Sequence, residues 1–479
     1  MKSPLVCTMV AALALPVAAQ QTLDRTKIPP PAPPPQLHVP VWTKTTLPNG
    51  AELIVSEKHD LPLVSFRITF QGGADQFEQA NRRGVGSLTA AMLSEGTKTR
   101  DGEALSNALQ LLGTSIRANV GGESGSLEFL STTAKFPQTL DILADMLLNS
   151  TFPDRSLERL RAQRLVALEQ AKAQPEAVAR RVYPILLYGG AHPYGQPITE
   201  DTVKAITRDD VVAFDKTYFQ PGRALITVVG DVTAASVKPA IEKALADWPK
   251  GGDEPSFKYP AVPNPSATTI YIVDKPAAAQ SMFLIGNPGP PRNTPDYYAL
   301  QVMNTILGGM FQSRLNSNIR EQKGYSYGVN SVFQYGKGPG PFYAGGDIVS
   351  AKTAPALTEF MKELKGIEGA RPVTDGELTM AKDSLVQRLP GEFASVGAIN
   401  NAITSLWVQG LPDDYYQQYG KAIDAISRDD VVRVAKHYID LGHLTILIVG
   451  DRASIEAPLE ATGIAPIKVV DINGQGIKP

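Results

Sequence analysis

The chain has 479 residues, with 38 Pro, 41 Gly, one Cys and a formal net charge of -2. At ~100–200 residues per domain this length suits two to four domains, and 43% hydrophobic with 20% charged residues excludes a wholly disordered chain. The near-neutral balance gives no clustered basic face of the kind nucleic acid requires, and the five histidines (His38, His59, His192, His437 and His443) are scattered.

Met1-Lys2-Ser3, the apolar stretch Leu5 to Leu15 and the small residues Val17-Ala18-Ala19 have the three-part layout of a secretory signal, with cleavage expected after Ala19. The apolar stretch is too short for a membrane span, which takes roughly 20 residues, and no later segment qualifies. Cys7 lies inside the signal, so the mature chain carries no thiol and its core must supply stability without disulfides. The expected destination is a bacterial periplasm. Residues 20–41 form a Pro-rich arm, with seven prolines between Pro29 and Pro40. Such a run favours polyproline II and reads as a spacer or surface strap, with a docking ligand for a partner as the alternative.

Beyond the arm, Thr43 to Thr46 and Ala51 to Ser56 read as a hairpin closed by Asn49-Gly50. Leu63 to Phe70 alternates as a strand. Gly84 to Glu95, Asp101 to Leu112 and Ser156 to Ala173 have the apolar spacing of helices. Leu225 to Val229 closes this part as a strand. Gly251 to Ser266, rich in Pro, Gly and charge, reads as a linker. Strands are then expected at Thr268 to Val273 and Ser281 to Ile285, a helix at Pro295 to Leu307, and a closing strand at His443 to Val449.

The chain repeats itself. Ile206-Thr207-Arg208-Asp209-Asp210-Val211-Val212 matches Ile426-Ser427-Arg428-Asp429-Asp430-Val431-Val432, and the match runs without gaps to Gly230-Asp231 and Gly450-Asp451, with about half the positions identical. Two copies of one α+β domain follow, over 42–250 and 267–479, each a mostly antiparallel sheet backed by helices.

The Leu-Pro-Asn-Gly hairpin, Ser94-Glu95-Gly96-Thr97, His192-Pro193-Tyr194-Gly195 and above all Gly308-Gly309-Met310-Phe311-Gln312-Ser313-Arg314-Leu315 resemble the pitrilysin/insulinase (inverzincin) family of zinc peptidases. The resemblance covers nearly all of 42–470 and implies half of a clamshell chamber. Active members carry His-x-x-Glu-His on the early helix, two ligands and a general base for zinc. Here Ser87-Leu88-Thr89-Ala90-Ala91 stands in that place, and the third ligand position falls at Gln163. Ser87, Ala90, Ala91 and Gln163 therefore read as a degenerate zinc site, and no metal or other cofactor is expected on this chain. His437 and His443, the closest pair, flank a helix end and point apart.

The resemblance also implies a substrate-positioning segment from Asn318 to Tyr327, in which Arg320 holds the peptide backbone and Tyr327 donates to the oxyanion. Ala118-Asn119-Val120 falls where peptide would add to a sheet edge, although the surrounding glycines equally fit plain turns. The expectation is a catalytically incomplete subunit. A zinc-bearing homologous subunit would be its partner, an unfolded peptide its substrate, and zinc would reside in the partner. A non-enzymatic peptide-binding or scaffold protein on the same fold is the alternative.

Overall fold

The Asn49-Gly50 turn works as the sequence predicts. In the computed structural model, which describes residues 36–252 and 257–477, β1 (Thr43–Thr46) pairs antiparallel with β2 (Glu52–Glu57). The expected signal and nearly all of the Pro-rich run lie outside the described residues. The last residues of the arm pack on the core through Leu37 and Val39, next to Trp42. The Ser56 hydroxyl fixes them by donating to the Val41 carbonyl at 3.1 Å.

β3 (Leu63–Gln71), β4 (Ile116–Val120), β5 (Ser124–Thr132) and β6 (Ala224–Gly230) complete a six-stranded sheet in the order β1-β2-β6-β3-β5-β4. The second sheet contains β7 (Thr269–Asp274), β8 (Gln280–Pro288), β9 (Asn330–Phe333), β10 (Pro341–Val349), β11 (Thr445–Gly450) and β12 (Ile467–Val470), in the order β12-β7-β11-β8-β10-β9. Five strands correspond one to one: β2, β6, β3, β5 and β4 match β7, β11, β8, β10 and β9. Both sheets are mixed. The pairs β2–β6, β7–β11 and β7–β12 are parallel and the others antiparallel. The α+β reading holds for both halves.

The repeated sequence is a repeated helix start. Thr207 and Ser427 each cap a helix, Arg208–Tyr218 and Arg428–Tyr438, and in both a reciprocal box forms with the Asp three residues on. Each helix leads into a central strand, β6 or β11, that is buried along its whole length. Such strands need cover on both faces. One face packs on the helices of its own half: Ile226 and Val228 lie in one core, Ile446 and Ile448 in the other.

The opposite faces are covered by exchange. The Pro175–Tyr188 helix of the first half lays Val178, Val182, Tyr183 and Leu187 on Leu447, Val449, Met282 and Leu284 of the second sheet. The Val396–Gln409 helix of the second half packs on β6 and β3 of the first sheet. From it, buried Asn400 donates to the carbonyls of Ser65 (3.3 Å) and Thr227 (3.2 Å) and to the Ser65 hydroxyl (3.2 Å). Trp407 Nε1 donates to Glu52 at 3.0 Å. No helix of the described residues is long and apolar enough to cross a membrane.

The expected helix at Pro295 to Leu307 is shorter. It runs over Tyr297–Asn304 and opens into a wide π turn at Thr305–Gly309. There Gly308 lies so close to β9 that a Cβ would fall 2.3 Å from the Ser331 amide.

Asn400 ties the two halves through buried hydrogen bonds. Asn400→Ala should lower unfolding stability by about 1–3 kcal/mol, whereas Asn401→Ala at the exposed next position should change it by less than about 0.5 kcal/mol. Urea unfolding of both variants measures this.

Candidate functional site

The Val85–Met92 helix carries the Ser87-to-Ala91 segment. Its first turn is organised by Glu78, whose carboxylate accepts from the amides of Gly84 (2.8 Å) and Gly86 (2.7 Å), groups a helix start leaves unpaired. Arg83 pairs with Asp75 at 3.0 Å and donates to the carbonyls of Ala74, Pro193 and Gln196. Burial raises both the Glu78 and the Asp75 carboxyl above the ordinary range, against the opposing pull of their hydrogen bonds. Gly86 lets the helix sink: a Cβ there would fall 2.8 Å from the Phe214 ring and 2.9 Å from Val120. The helix is thereby wedged against β4.

β4 is the open edge of the first sheet. Val120 is buried beneath the helix, Ala118 is half-buried and Asn119 exposed. Beyond Val120 the edge closes, because Ala74 donates its amide to the Gly121 carbonyl at 2.7 Å.

On the helix, the Ser87 hydroxyl donates to the Gly84 carbonyl at 3.0 Å. Ala90 is 3% exposed and belongs to the core, and Ala91 is half-buried. The Asp154–Ala171 helix crosses this segment, pinned at one end by Arg159 to Glu95 at 2.5 Å. Gln163 is exposed and meets Arg159 at 3.5 Å. The side chain that reaches Ser87 from this helix is Arg164, at 3.4 Å. Sequence reading passed over it. The 3.6-residue stripe through Leu157, Leu160, Arg164 and Leu168 marks this face and leaves Gln163 off it.

The second half presents a different arrangement. Arg314 is nearly fully buried, donates twice to Glu377 (2.7 and 2.9 Å) and reaches the carbonyls of Arg371 and Pro372. Asn318 donates to Glu359 and Glu363, both at 2.8 Å. The Asn316 side-chain oxygen accepts from the Val329 amide at 3.0 Å. Ser326 donates to the carbonyls of Gly328 and Asp347. These buried polar groups hold a π turn at Asn316–Gln322 and the loop after it. From that loop Tyr327 projects 91% exposed. Arg320 sits at the end of the turn, its guanidinium 4.0 Å from the ring of Phe311, itself 62% exposed, and 3.1 Å from Glu321. Among the described residues no hydrogen bond, ion pair or ring contact joins Arg320 to Tyr327, or either of them to Ser87, Gln163 or β4.

His192 is buried among Tyr188, Tyr194 and Tyr259, and its Nδ1 accepts from the Tyr194 amide at 3.1 Å. Burial lowers its pKa, as for a packed neutral imidazole.

Comparison with known proteins fits this architecture. Residues 53–192 match the family model described as insulinase (peptidase family M16), and 205–385 match the peptidase M16 inactive domain, together more than half of the chain. The chain belongs to the insulinase (M16) family. An M16 inactive domain from Pseudomonas fluorescens superposes with a TM-score of 0.78 at 26% identity, covering 85% of this chain and 98% of that one. A non-peptidase homolog, YmxG of Helicobacter pylori, is 24% identical over 84% of this chain and 92% of its own length. The periplasmic protease PqqL of Escherichia coli superposes with a TM-score of 0.70 at 17% identity, over 89% of this chain but 50% of PqqL.

Against the M16 zinc motif, the donor set here does not fit the metal. Ser87 offers one hydroxyl already engaged, Ala90 and Ala91 offer nothing, and Gln163 lies on another face. The guanidinium of Arg164 reaches Ser87 at 3.4 Å and so brings a positive charge beside these positions, which would oppose a dication. Among the described residues no group of three or more His, Cys, Asp or Glu side chains is placed to hold a metal.

Two measurements test these assignments. In an S87H/A91H background, two imidazoles stand one turn apart. Arg164→Gln should then tighten zinc binding by at least about tenfold, read by competition with a chromophoric chelator. Equal affinities would mean the guanidinium does not oppose the metal. Arg314 and the Thr374 amide hold Glu377 down at about 2, against burial, from an ordinary 4.5. Its pairing therefore stabilises the fold fully above about pH 4.5 and progressively less as pH falls towards 2. The stability difference between wild type and Glu377→Gln should shrink across that window in acid unfolding.

Proposed function

We propose that this M16 chain is a zinc-free, catalytically incomplete subunit. In this reading it completes a chamber with a zinc-bearing homologous subunit in the bacterial periplasm and positions unfolded peptide for that partner. One observation carries the reading: Tyr327 stands 91% exposed on a loop whose neighbours are pinned by buried hydrogen bonds. A rigidly presented side chain with no partner in its own half is shaped for contact with another molecule. The degenerate Ser87-to-Ala91 helix leaves the chemistry to that molecule. Zinc-activated water on the partner would attack the peptide carbonyl, Tyr327 would donate to the oxyanion, and Arg320 would bind substrate carbonyls. The open edge of β4 at Ala118-Asn119-Val120 offers a place for peptide to add as a strand.

The stacking of Arg320 under Phe311 favours a second reading, a non-enzymatic peptide-binding or scaffold protein, in line with the name of the Helicobacter pylori relative. A mixing experiment separates the two. The purified chain alone should not cleave unfolded peptide, and mixing with a His-x-x-Glu-His subunit should produce cleavage. In that mixture Tyr327→Phe should lower kcat by about 10²–10³-fold. Cleavage unaffected by Tyr327→Phe refutes its role. Peptide binding without cleavage in any mixture selects the scaffold.

A further inference from the structure

Beside the degenerate helix lies a cavity of 410 Å³, between the Asp154–Ala171 and Pro175–Tyr188 helices. Its apolar walls are Leu168, Val178, Pro184, Ile185, Ile198 and Ile472. Four cations line it, Arg164, Lys172, Arg180 and Arg181, and no carboxylate does. Two of these cations are neutralised from outside the lining: Lys172 by Glu169 (2.7 Å) and Glu200 (2.8 Å), and Arg180 by Glu176 (2.8 Å).

The other two have neutral partners. Arg181 is held in place by the carbonyls of Ile472 (3.0 Å) and Ile198 (3.1 Å) and by the Asn473 amide oxygen (2.9 Å). Glu200, whose charge reaches Arg181, is already engaged by Lys172. Arg164 meets only the Ser87 hydroxyl, at 3.4 Å, among the described residues. A half-enclosed apolar space with two guanidiniums lacking carboxylate partners is complementary to one anion carried on an apolar body. The volume suits a small ligand or the last residues of a chain.

We propose that this cavity binds a carboxylate at the end of an apolar segment, with Arg164 as its principal partner and Arg181 beside it. The shared chemistry is that of a peptide C-terminus with apolar last residues or of a short fatty acid. The site needs neither zinc nor a second subunit, so its success or failure is independent of the pairing proposed above.

Calorimetric titration of the full chain with N-acetyl-leucyl-leucine, the corresponding carboxamide and octanoate tests it. The free-acid peptide should bind, with the carboxamide at least about tenfold weaker. Arg164→Gln should weaken the acid at least about tenfold without changing the carboxamide, while Arg164→Lys should retain part of the affinity. Thermal melting of each variant controls for folding, and Arg164, with its single weak contact, is the safer position than Arg181. Octanoate weaker than the peptide acid assigns the site to a peptide end, and octanoate tighter assigns it to a fatty acid. Failure of both acids to bind at about 1 mM, equal binding of acid and carboxamide, or an unaltered Arg164→Gln variant would each overturn the proposal.

Discussion

The exchange of one helix between halves is the constraint on which the rest of the structure depends. β6 and β11 are apolar on both faces, so neither half could leave its sheet with only its own helices. Burying Val182, Leu187 or Leu447 contributes roughly 1.5–3 kcal/mol each, and the exchange places such residues of one half against the sheet of the other. Buried Asn400 then fixes the register, because its amide must meet the Ser65 and Thr227 carbonyls or lose them. The two halves are thus copies by sequence but one body by packing. The cavity beside the degenerate helix is a by-product: its second wall is the exchanged Pro175–Tyr188 helix.

A separate, local set of contacts explains why the fold does not depend on the motif positions. What holds the Val85–Met92 helix is Glu78 at its first amides, the Arg83 pairing and the close fit of Gly86. None of these involves the motif positions. Ala90 in place of an ionisable side chain packs into the core at no desolvation cost. Arg164 then faces a neutral helix, where a histidine-bound dication would have repelled it.

Much of this was legible in the sequence. Asn49-Gly50 gave the hairpin, the matched Ile206 and Ile426 segments gave the duplicated domain, and the Gly308-to-Leu315 segment gave the family. The exchange was not legible. The run Ala224–Gly230 reports that both faces of a strand are covered but not from which half the cover comes, and Val396–Gln409 has an ordinary helical pattern. The motif that contains Arg314 does not show its buried partner, since Glu377 lies far along the chain. Arg164 was missed because the third ligand position was placed from the family's spacing, whereas the helix face decides which side chain reaches Ser87.

The second half divides its residues between holding and presenting. Arg314, Asn316, Asn318 and Ser326 spend polar groups inside the protein, each meeting a carboxylate, an amide or a carbonyl. Tyr327 is left with its ring in solvent on a loop held by the hydrogen bonds of Ser326, which lowers the entropy lost when the ring is engaged. Arg320 is held differently. One face of its guanidinium stacks on Phe311 and one edge leans on Glu321, and the side chain stays 30% exposed. Because guanidinium N–H groups donate in the plane of the group, the stack steadies the arginine without closing its remaining donors. The tyrosine is presented by its loop, the arginine by its neighbours.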